Sequence, residues 1–363
     1  MTERIVGSAD TAPNYATGQA QTLLAPALAD HPALRIATKA GYFTAATGAD
    51  AVDAGVLTED QAMVGHSLAP QYVRWQMGRN REQFGRERLD MVLLHNPERA
   101  HPGDRLALHR AMREAFVVLE EAVAAGHVAG YGIATWEGLE EEAFTVGELL
   151  ALAAEAAGGW HHLVAVQMPV SLVMMTPITQ ALDGRGPLPA AAGAGLRVMA
   201  SAPLHGGELP GIVDQELADL IRPGLTPAQA CVLAVASCPG VTDVLISASS
   251  APHWSQAADA VAQPSLTAAK LREITGVLAA PGPGHRTAHA LPPRPRRQGS
   301  GCTGRAGRGV LGLGRAHPGC PGPHRRRATG VAAAGVLTGG QGVREAVGRR
   351  PRRSAGLRGP RRA

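Results

Sequence analysis

The amino-acid sequence predicts an α/β fold: an incomplete (β/α)8 barrel of the TIM type, in which helices cover a ring of parallel strands. Short apolar runs, each typical of a buried strand, alternate along the chain with longer segments whose apolar residues recur at helical spacing. Seven strands are counted in this way, one fewer than a complete barrel requires. A doubly wound sheet is the competing architecture, but no glycine-rich dinucleotide fingerprint follows any of the strands.

Each predicted strand is a short apolar run that closes in a polar residue or a turn. The strands are the run that ends at Asp10 and residues 34–41, 91–95, 128–135, 163–170, 196–204 and 242–249. Three of them carry an ionisable side chain at or near the end, namely Asp10, Lys39 and His95. Because the carboxyl ends of parallel strands meet at one face of a barrel, we expect these three groups to lie at a single mouth.

Helices are predicted where apolar residues recur every three or four positions. These segments are residues 17–31, 104–126, 145–158 and 227–238. The first stops at His31-Pro32, and Gly126 is a plausible end for the second, since glycine accepts the left-handed conformation of a helix terminus. Residues 42–66 are predicted as a loop. Residues 68–85 present a buried face made of Tyr72, Trp75, Met77 and Phe84.

Length and composition limit the class of protein. The chain has 363 residues, 45% of them hydrophobic, which allows a large core. No apolar run approaches the roughly 18 residues that cross a bilayer, and Met1 is not followed by a signal-peptide core, so we expect a cytoplasmic location and no membrane partner. The four cysteines show no CxxC pair and no metal-ligand spacing with histidine, so no metal site is expected. Cys231 and Cys238 are predicted as buried thiols.

The last 83 residues differ in composition from the rest of the chain. Residues 281–363 contain 18 Arg, no Lys, one acidic residue, 10 Pro and 19 Gly, so this segment has a net charge of +17 and the remainder of the chain one of −12. Such a composition buries too little apolar surface to fold, which predicts a disordered tail after a barrel domain of residues 1–280. A polyanion-binding tail, a low-complexity linker and a frameshift product are the three explanations, with the frameshift favoured.

Asp10, Tyr15, Lys39 and His95 form a candidate catalytic group. Tyr15 follows Asp10 by five positions across a Pro-Asn turn, so the loop can fold back and bring the phenol near the carboxylate. A phenol has an ordinary pKa of about 10; a nearby ammonium lowers it, and a buried carboxylate keeps the lysine charged. An imidazole at the same mouth can orient a substrate oxygen.

Each of these residues also has a purely structural interpretation. Asp10 could cap a loop, Tyr15 could pack, and His95 could be a hydrogen-bonded core histidine. Lys39 could face solvent, but a lysine within an apolar strand is costly to bury unless it is paired, and the chain has only one other lysine, Lys270.

The order of these four residues at strand ends resembles the catalytic tetrad of the aldo-keto reductase family. Five further stretches, in the same order as in the family, resemble its landmarks: Leu89–His95, Leu119–Ile133, Ala165–Gln167, Ala202–Gly207 and Thr226–Gln229. The resemblance spans roughly residues 8–280. It implies that the chain begins at the second strand of the family's barrel, so that the first strand and helix are missing.

The resemblance also implies an activity: an NAD(P)H-dependent oxidoreductase that transfers a hydride between the nicotinamide cofactor and an aldehyde or ketone, or the corresponding alcohol. Tyr15 would be the general acid and base, tuned by Lys39 and Asp10, and His95 would orient the carbonyl. The implied cofactor-binding residues are Thr135, Gln167, Ser201, Leu204, Ser247 and Ser249. Asn96 and Trp136 are the implied substrate residues, and His205 is a further pocket candidate, although all three could serve only in packing or at the surface.

The sequence departs from the family pattern at three places on the cofactor side. Ala134-Thr135 stands where the family has Ser-Asn, and Ser201 stands where a tyrosine stacks on the nicotinamide. The segment Pro252-His253-Trp254 lies near the position of the arginine that grips a 2′-phosphate. The resemblance implies NADP(H) as the first expectation, and NAD(H) stays open because that arginine is absent.

A catalytically inactive truncated relative, or a non-enzymatic binding protein, is the alternative hypothesis. It rests on the missing strand, because a barrel that lacks one strand has two unpaired edges. A nucleic-acid partner would depend on the basic tail alone. Under the first hypothesis the partner is a small carbonyl or alcohol substrate.

Overall fold

A computed structural model of the chain describes residues 8–280 and the short segment 334–338. Its eight strands form one closed barrel in sequence order. The strands are β1 (Ser8–Asp10), β2 (Arg35–Ala40), β3 (Met91–His95), β4 (Tyr131–Ala134), β5 (Leu163–Pro169), β6 (Arg197–Ser201), β7 (Asp243–Ile246) and β8 (Ala334–Thr338). The first seven pair in parallel with their neighbours, which confirms the predicted barrel of parallel strands.

Helices connect the parallel strands and cover the outside of the barrel. They are α1 (Ala20–Asp30), α2 (Ala45–Asp53), α3 (Glu59–Val64), α4 (Pro70–Phe84), α5 (Arg105–Ala124), α6 (Val146–Ala157), α7 (Thr176–Leu182), α8 (Pro187–Gly193), α9 (Leu209–Ile212), α10 (Gln215–Ile221), α11 (Pro227–Ala236), α12 (Ala251–Val261) and α13 (Ala268–Ala279). None of the helices within residues 8–280 combines the length and the apolar character that a bilayer-spanning segment needs. Cys231 and Cys238 are buried free thiols in the core, as predicted.

Local signals explain where the predicted helices begin and end. The Asp104 side chain caps α5 by accepting from the backbone amide of Ala107. At the start of α6 the Thr145 hydroxyl and the Glu148 carboxylate satisfy each other's backbone amides in a capping box, and the helix ends at Gly158 in the left-handed conformation.

The loop predicted over residues 42–66 is wrong, because α2 and α3 lie there. Both helices start at a threonine: Thr44 caps α2, and Thr58 forms a capping box with Gln61 at the start of α3. These helices are short, with two buried residues in α2 and none in α3, and the cap residues were the available signal. Seven further helices, α4, α7 to α10, α12 and α13, lie in segments for which no helix was predicted.

The barrel interior holds an apolar cluster that is separate from the core between strands and helices. This apolar floor consists of Ala37, Met91, Leu93, Ala134, Ala165, Met199 and Leu245. Side chains along a strand point to the same face at every second residue. On or just past five strands, the residue two positions after a floor residue is polar. These polar residues are Lys39, His95, Gln167, Ser201 and Ser247. A polar rim therefore lies on the apolar floor at the carboxyl ends of the strands.

The eighth strand was not predicted. β8 is antiparallel and lies between β7 and β1, with Asp243 opposite Thr338 on one side and Ala9 opposite Gly335 on the other. The two edges that a seven-stranded sheet would leave open are thus paired in the described structure. The remainder of the predicted tail, and residues 1–7, lie outside the described residues, and the domain boundary at residue 280 stays a prediction.

Candidate active site

Lys39 and Asp10 form a buried ion pair at the rim of the barrel. The Lys39 Nζ atom donates to Asp10 Oδ2 at 2.7 Å and to the Thr11 carbonyl oxygen at 3.0 Å, and the lysine is only 1% exposed. Burial alone would lower the pKa of Lys39, but the charges and hydrogen bonds of Asp10 and Tyr15 raise it above its ordinary value. Lys39 therefore stays an ammonium at neutral pH.

Gln167 holds the other oxygen of the same carboxylate. Its Nε2 atom donates to Asp10 Oδ1 at 3.0 Å, and both residues are buried. Since one oxygen of Asp10 accepts from Lys39 and the other from Gln167, the carboxylate is fixed from two strands, β2 and β5. The family resemblance implied Gln167 as a nicotinamide ligand, and it gave no indication of this contact.

Tyr15 lies beside the ion pair. It follows the turn after β1, where its backbone amide donates to the Ala12 carbonyl at 3.1 Å. The Lys39 Nζ atom is 5.1 Å from the centroid of the Tyr15 ring. The ring also meets His95 edge to face, with centroids 5.9 Å apart and an interplanar angle of 83°. The structure thus brings Asp10, Tyr15, Lys39 and His95 into one cluster.

His95 is a neutral imidazole in this cluster. Burial, the Lys39 ammonium and the neighbouring His66 together lower the pKa of His95 well below its ordinary value of 6.5. Its Nδ1 atom is buried without a hydrogen-bond partner in the described part of the chain. A proton on Nδ1 would be an unsatisfied buried donor, so the favoured tautomer carries its proton on Nε2 and can donate it to an oxygen acceptor.

A cavity of about 500 Å³ opens beside this cluster. Asp10, Tyr15 and Gln167 line it from the side of the cluster. Four more residues from the sequence prediction line the rest, namely Trp136, Ser201, Leu204 and Ser247. Gly206 and Gly207 also border it, and a side chain at either would have no atom within 4 Å, so the backbone there is open.

Six predicted residues are not among those that line the cavity: Lys39, His95, Asn96, Thr135, His205 and Ser249. The Thr135 hydroxyl oxygen accepts from the Gly138 amide at 2.9 Å, which closes a turn after β4. Ser249 is exposed and its hydroxyl lies 3.3 Å from His253 Nδ1. Asn96 has left-handed backbone angles, and its backbone N–H donates to the Ala134 carbonyl at 2.6 Å. The roles of Thr135, Ser249 and Asn96 stay predictions.

Two residues that were not predicted from the sequence make hydrogen bonds to neighbours in the site, His66 to His95 and Glu98 to the turn that carries Trp136. His66 lies 2.9 Å from the His95 carbonyl oxygen through its Nε2 atom. Glu98 accepts the backbone amides of Trp136 and Glu137 at 3.0 and 3.2 Å, and so fixes the turn that carries Trp136. Glu98 follows His95 by three positions, which was a usable signal. His66 lies in a segment predicted as a loop, and no spacing linked it to His95.

Comparisons with known proteins agree with this architecture. The sequence model of the aldo/keto reductase family matches residues 6–220, which is more than half of the chain. Among solved structures, a glycerol dehydrogenase from Gluconobacter oxydans is similar with a TM-score of 0.56 and 18% sequence identity, over 78% of this chain and 84% of that chain. At this identity the likeness concerns the fold. No curated protein sequence matches the chain.

Proposed function

This chain belongs to the aldo/keto reductase family, and from that premise we propose that it is an NAD(P)H-dependent oxidoreductase acting on a small aldehyde or ketone, or on the corresponding alcohol. The observation that carries the proposal is the cluster of Asp10, Tyr15, Lys39 and His95 beside an open cavity. An isolated buried ion pair would need no cavity and no phenol at its edge.

In this proposal the cavity receives the nicotinamide end of the cofactor and a small substrate. Its far wall is formed by Ser201, Leu204 and Ser247 and by the open backbone of Gly206 and Gly207, which can approach a ligand closely. When bound, the cofactor supplies or accepts the hydride. NADP(H) is the first candidate from the family resemblance, and NAD(H) is the second because the first turn of α12 carries His253 and no arginine to hold a 2′-phosphate.

Tyr15 moves the proton in this proposal. During reduction its hydroxyl donates a proton to the carbonyl oxygen as negative charge develops there. The Lys39 ammonium, held by Asp10 at 2.7 Å, stabilises the phenolate that remains. His95 is neutral, so it can donate a hydrogen bond to the same oxygen and orient the substrate without adding a second positive charge.

Cofactor titration and turnover test this proposal together. Quenching of intrinsic fluorescence should give a dissociation constant for NADPH and NADH, and a panel of small aldehydes, ketones and alcohols should reveal turnover. Glycerol belongs in the panel, since the similar structure is that of a glycerol dehydrogenase. We expect Tyr15→Phe to lower kcat by about 10²- to 10⁴-fold, the usual contribution of a positioned general acid, while the cofactor still binds.

Tyr131→Phe is the matched control. The Tyr131 hydroxyl donates to Glu120 at 2.8 Å, away from the cavity, so its loss should leave kcat unchanged. Unchanged turnover in Tyr15→Phe would reject the assigned proton donor. A wild-type chain that binds neither cofactor would reject the oxidoreductase.

A further inference from the structure

The carbonyl oxygen of His95 lies where the sheet no longer supplies a donor. The pairing of β2 with β3 ends at Ala40 opposite Leu94, one residue before His95. His66 takes over there: its Nε2 atom lies 2.9 Å from the His95 oxygen, and the contact is buried. Since a carbonyl only accepts, Nε2 carries the proton. A side chain thus replaces the missing backbone donor.

Gly41 keeps this contact open. Its backbone is in a region that favours glycine, with φ of +143°. A Cβ atom at this position would lie 2.8 Å from the His95 carbonyl oxygen and 3.0 Å from His66 Nε2. Any side chain would therefore push apart the two atoms that are hydrogen-bonded.

Tyr42 packs against both histidines. Its ring centroid is 4.8 Å from that of His66 and 5.0 Å from that of His95, edge to face in both cases. Tyr42 and His66 also form an antiparallel bridge. Backbone bonds on either side, from Ser67 to the Gly41 carbonyl at 3.1 Å and from Phe43 to the Gly65 carbonyl at 3.1 Å, fix the segment that carries His66.

We propose that His66 is a positioning residue for His95: its hydrogen bond to the His95 carbonyl, together with the Tyr42 ring, sets the orientation of the His95 imidazole against the Tyr15 ring. The mechanistic importance of this orientation rests on the proposed function. The contact itself does not, so the two can be tested separately.

The chemistry of His66 suits this role. Burial lowers its pKa below the ordinary value, although the bond to the His95 carbonyl and the charge of Glu98 act in the opposite direction and Arg99 adds to the lowering. His66 is therefore neutral at pH 7 and adds no full charge beside His95. With its proton on Nε2, its other nitrogen is an acceptor, which is buried without a partner in the described residues.

Three variants of the full chain separate positioning from general stability. His66→Ala removes the donor, and His66→Gln keeps an amide donor at a similar reach. His109→Ala is the matched control, because His109 Nε2 makes the same kind of bond to a backbone carbonyl, that of Ala143 at 3.2 Å, away from His95. The first readout is the ring ¹⁵N spectrum of His95, assigned with a His95→Gln reference, in the absence of cofactor. The second readout is turnover, given by kcat and measured together with the dissociation constant of the cofactor.

We expect the His95 ring of the wild type, of His66→Gln and of His109→Ala to show one neutral tautomer, and that of His66→Ala to show averaged tautomers. With an active enzyme, His66→Ala should lower kcat by about 10- to 100-fold, as small misplacements do, without weakening cofactor binding, and His66→Gln should restore most of it. An unchanged His95 spectrum in His66→Ala overturns the inference, as does an equal change in His109→Ala. Absence of turnover in the wild type rejects the proposed function, while the spectra still decide the role of His66.

Discussion

The two sides of the barrel mouth are built differently. On the side of the proposed proton transfer, Asp10, Lys39 and His95 are buried, and the two charged groups meet hydrogen-bond partners at named atoms. On the proposed cofactor side, defined by residues 201–207 and 247–250, serines are exposed or half-buried. Two residues of that side, Ala202 and His205, also have left-handed backbone angles, with φ of 51° and 46°.

This difference shows which groups the fold itself fixes in place for the proposed chemistry. Groups that must hold a proton in one place are fixed before any ligand arrives, because a buried charge without partners would be too costly. Groups that must receive a cofactor are left open, with backbone and small side chains at the surface. Changes on the first side should therefore affect stability and turnover together, and changes on the second should mainly affect binding.

The largest expected effect is on the buried ion pair. Lys39→Met leaves the Asp10 carboxylate buried without its cation, and breaking such a pair costs about 3–5 kcal/mol of unfolding free energy. Lys270→Met is the matched control, since it removes the other lysine, whose exposed pair with Glu273 at 3.0 Å contributes less than about 1 kcal/mol. Denaturant unfolding of both variants measures the difference. Equal stabilities would mean that the buried pair contributes no more to folding than a surface pair does.

A change in pH is expected to have a smaller effect on the free energy of unfolding. Burial, first of all, lowers the pKa values of His95 and His66 below 6.5 in the folded protein. The unfolded chain then binds more protons, so the free energy of unfolding decreases as the pH falls below 6.5, by up to about 1.4 kcal/mol per pH unit for each histidine. Lys39 does not change this trend. Its raised pKa contributes stability that is present below pH 10.5 and is lost only as the pH rises through the higher pKa of the folded state.

Denaturant unfolding between pH 7 and 5 checks this sign. His95→Gln should remove about half of the slope, whereas His127→Gln, which alters an exposed imidazole, should retain it. The carboxylates Glu120 and Glu148 have lowered pKa values and lose their contributions only below 4.5, outside this window. A flat profile in the wild type would contradict the neutral state assigned to both rings.

Sequence reasoning was strongest where one strand decides the outcome. Alternation along a strand places Lys39 above Ala37 and His95 above Leu93, so the polar rim follows from period-two patterning. Contacts between strands were less accessible. Gln167 and Asp10 are 157 positions apart, and no property of either residue alone indicates that they bond.

The errors also have physical reasons. The helices α2 and α3 are short, and Thr44 and Thr58 identify their starts better than apolar spacing does. β8 lies in a segment whose composition predicts no folded structure, and its pairing uses backbone groups, which every residue except proline provides in full. Composition describes what a segment can bury, whereas an open sheet edge can pair with almost any extended chain.

Gln167 lies between the two sides of the mouth, so a substitution there tests whether the two sides are distinct. The structure bonds it to Asp10 at 3.0 Å, whereas the family resemblance assigns it to the cofactor. If it mainly holds Asp10, Gln167→Met should lower kcat about tenfold, which is about 1.4 kcal/mol, with an unchanged cofactor dissociation constant. We expect this result, because the amide nitrogen is already engaged with a buried carboxylate.

Ser247→Ala provides the reference for a residue that borders the cavity on the cofactor side, and should raise the dissociation constant while kcat stays the same. If Gln167→Met instead behaves like Ser247→Ala, then Lys39 alone orients Asp10, and Gln167 belongs with the residues of the proposed cofactor side.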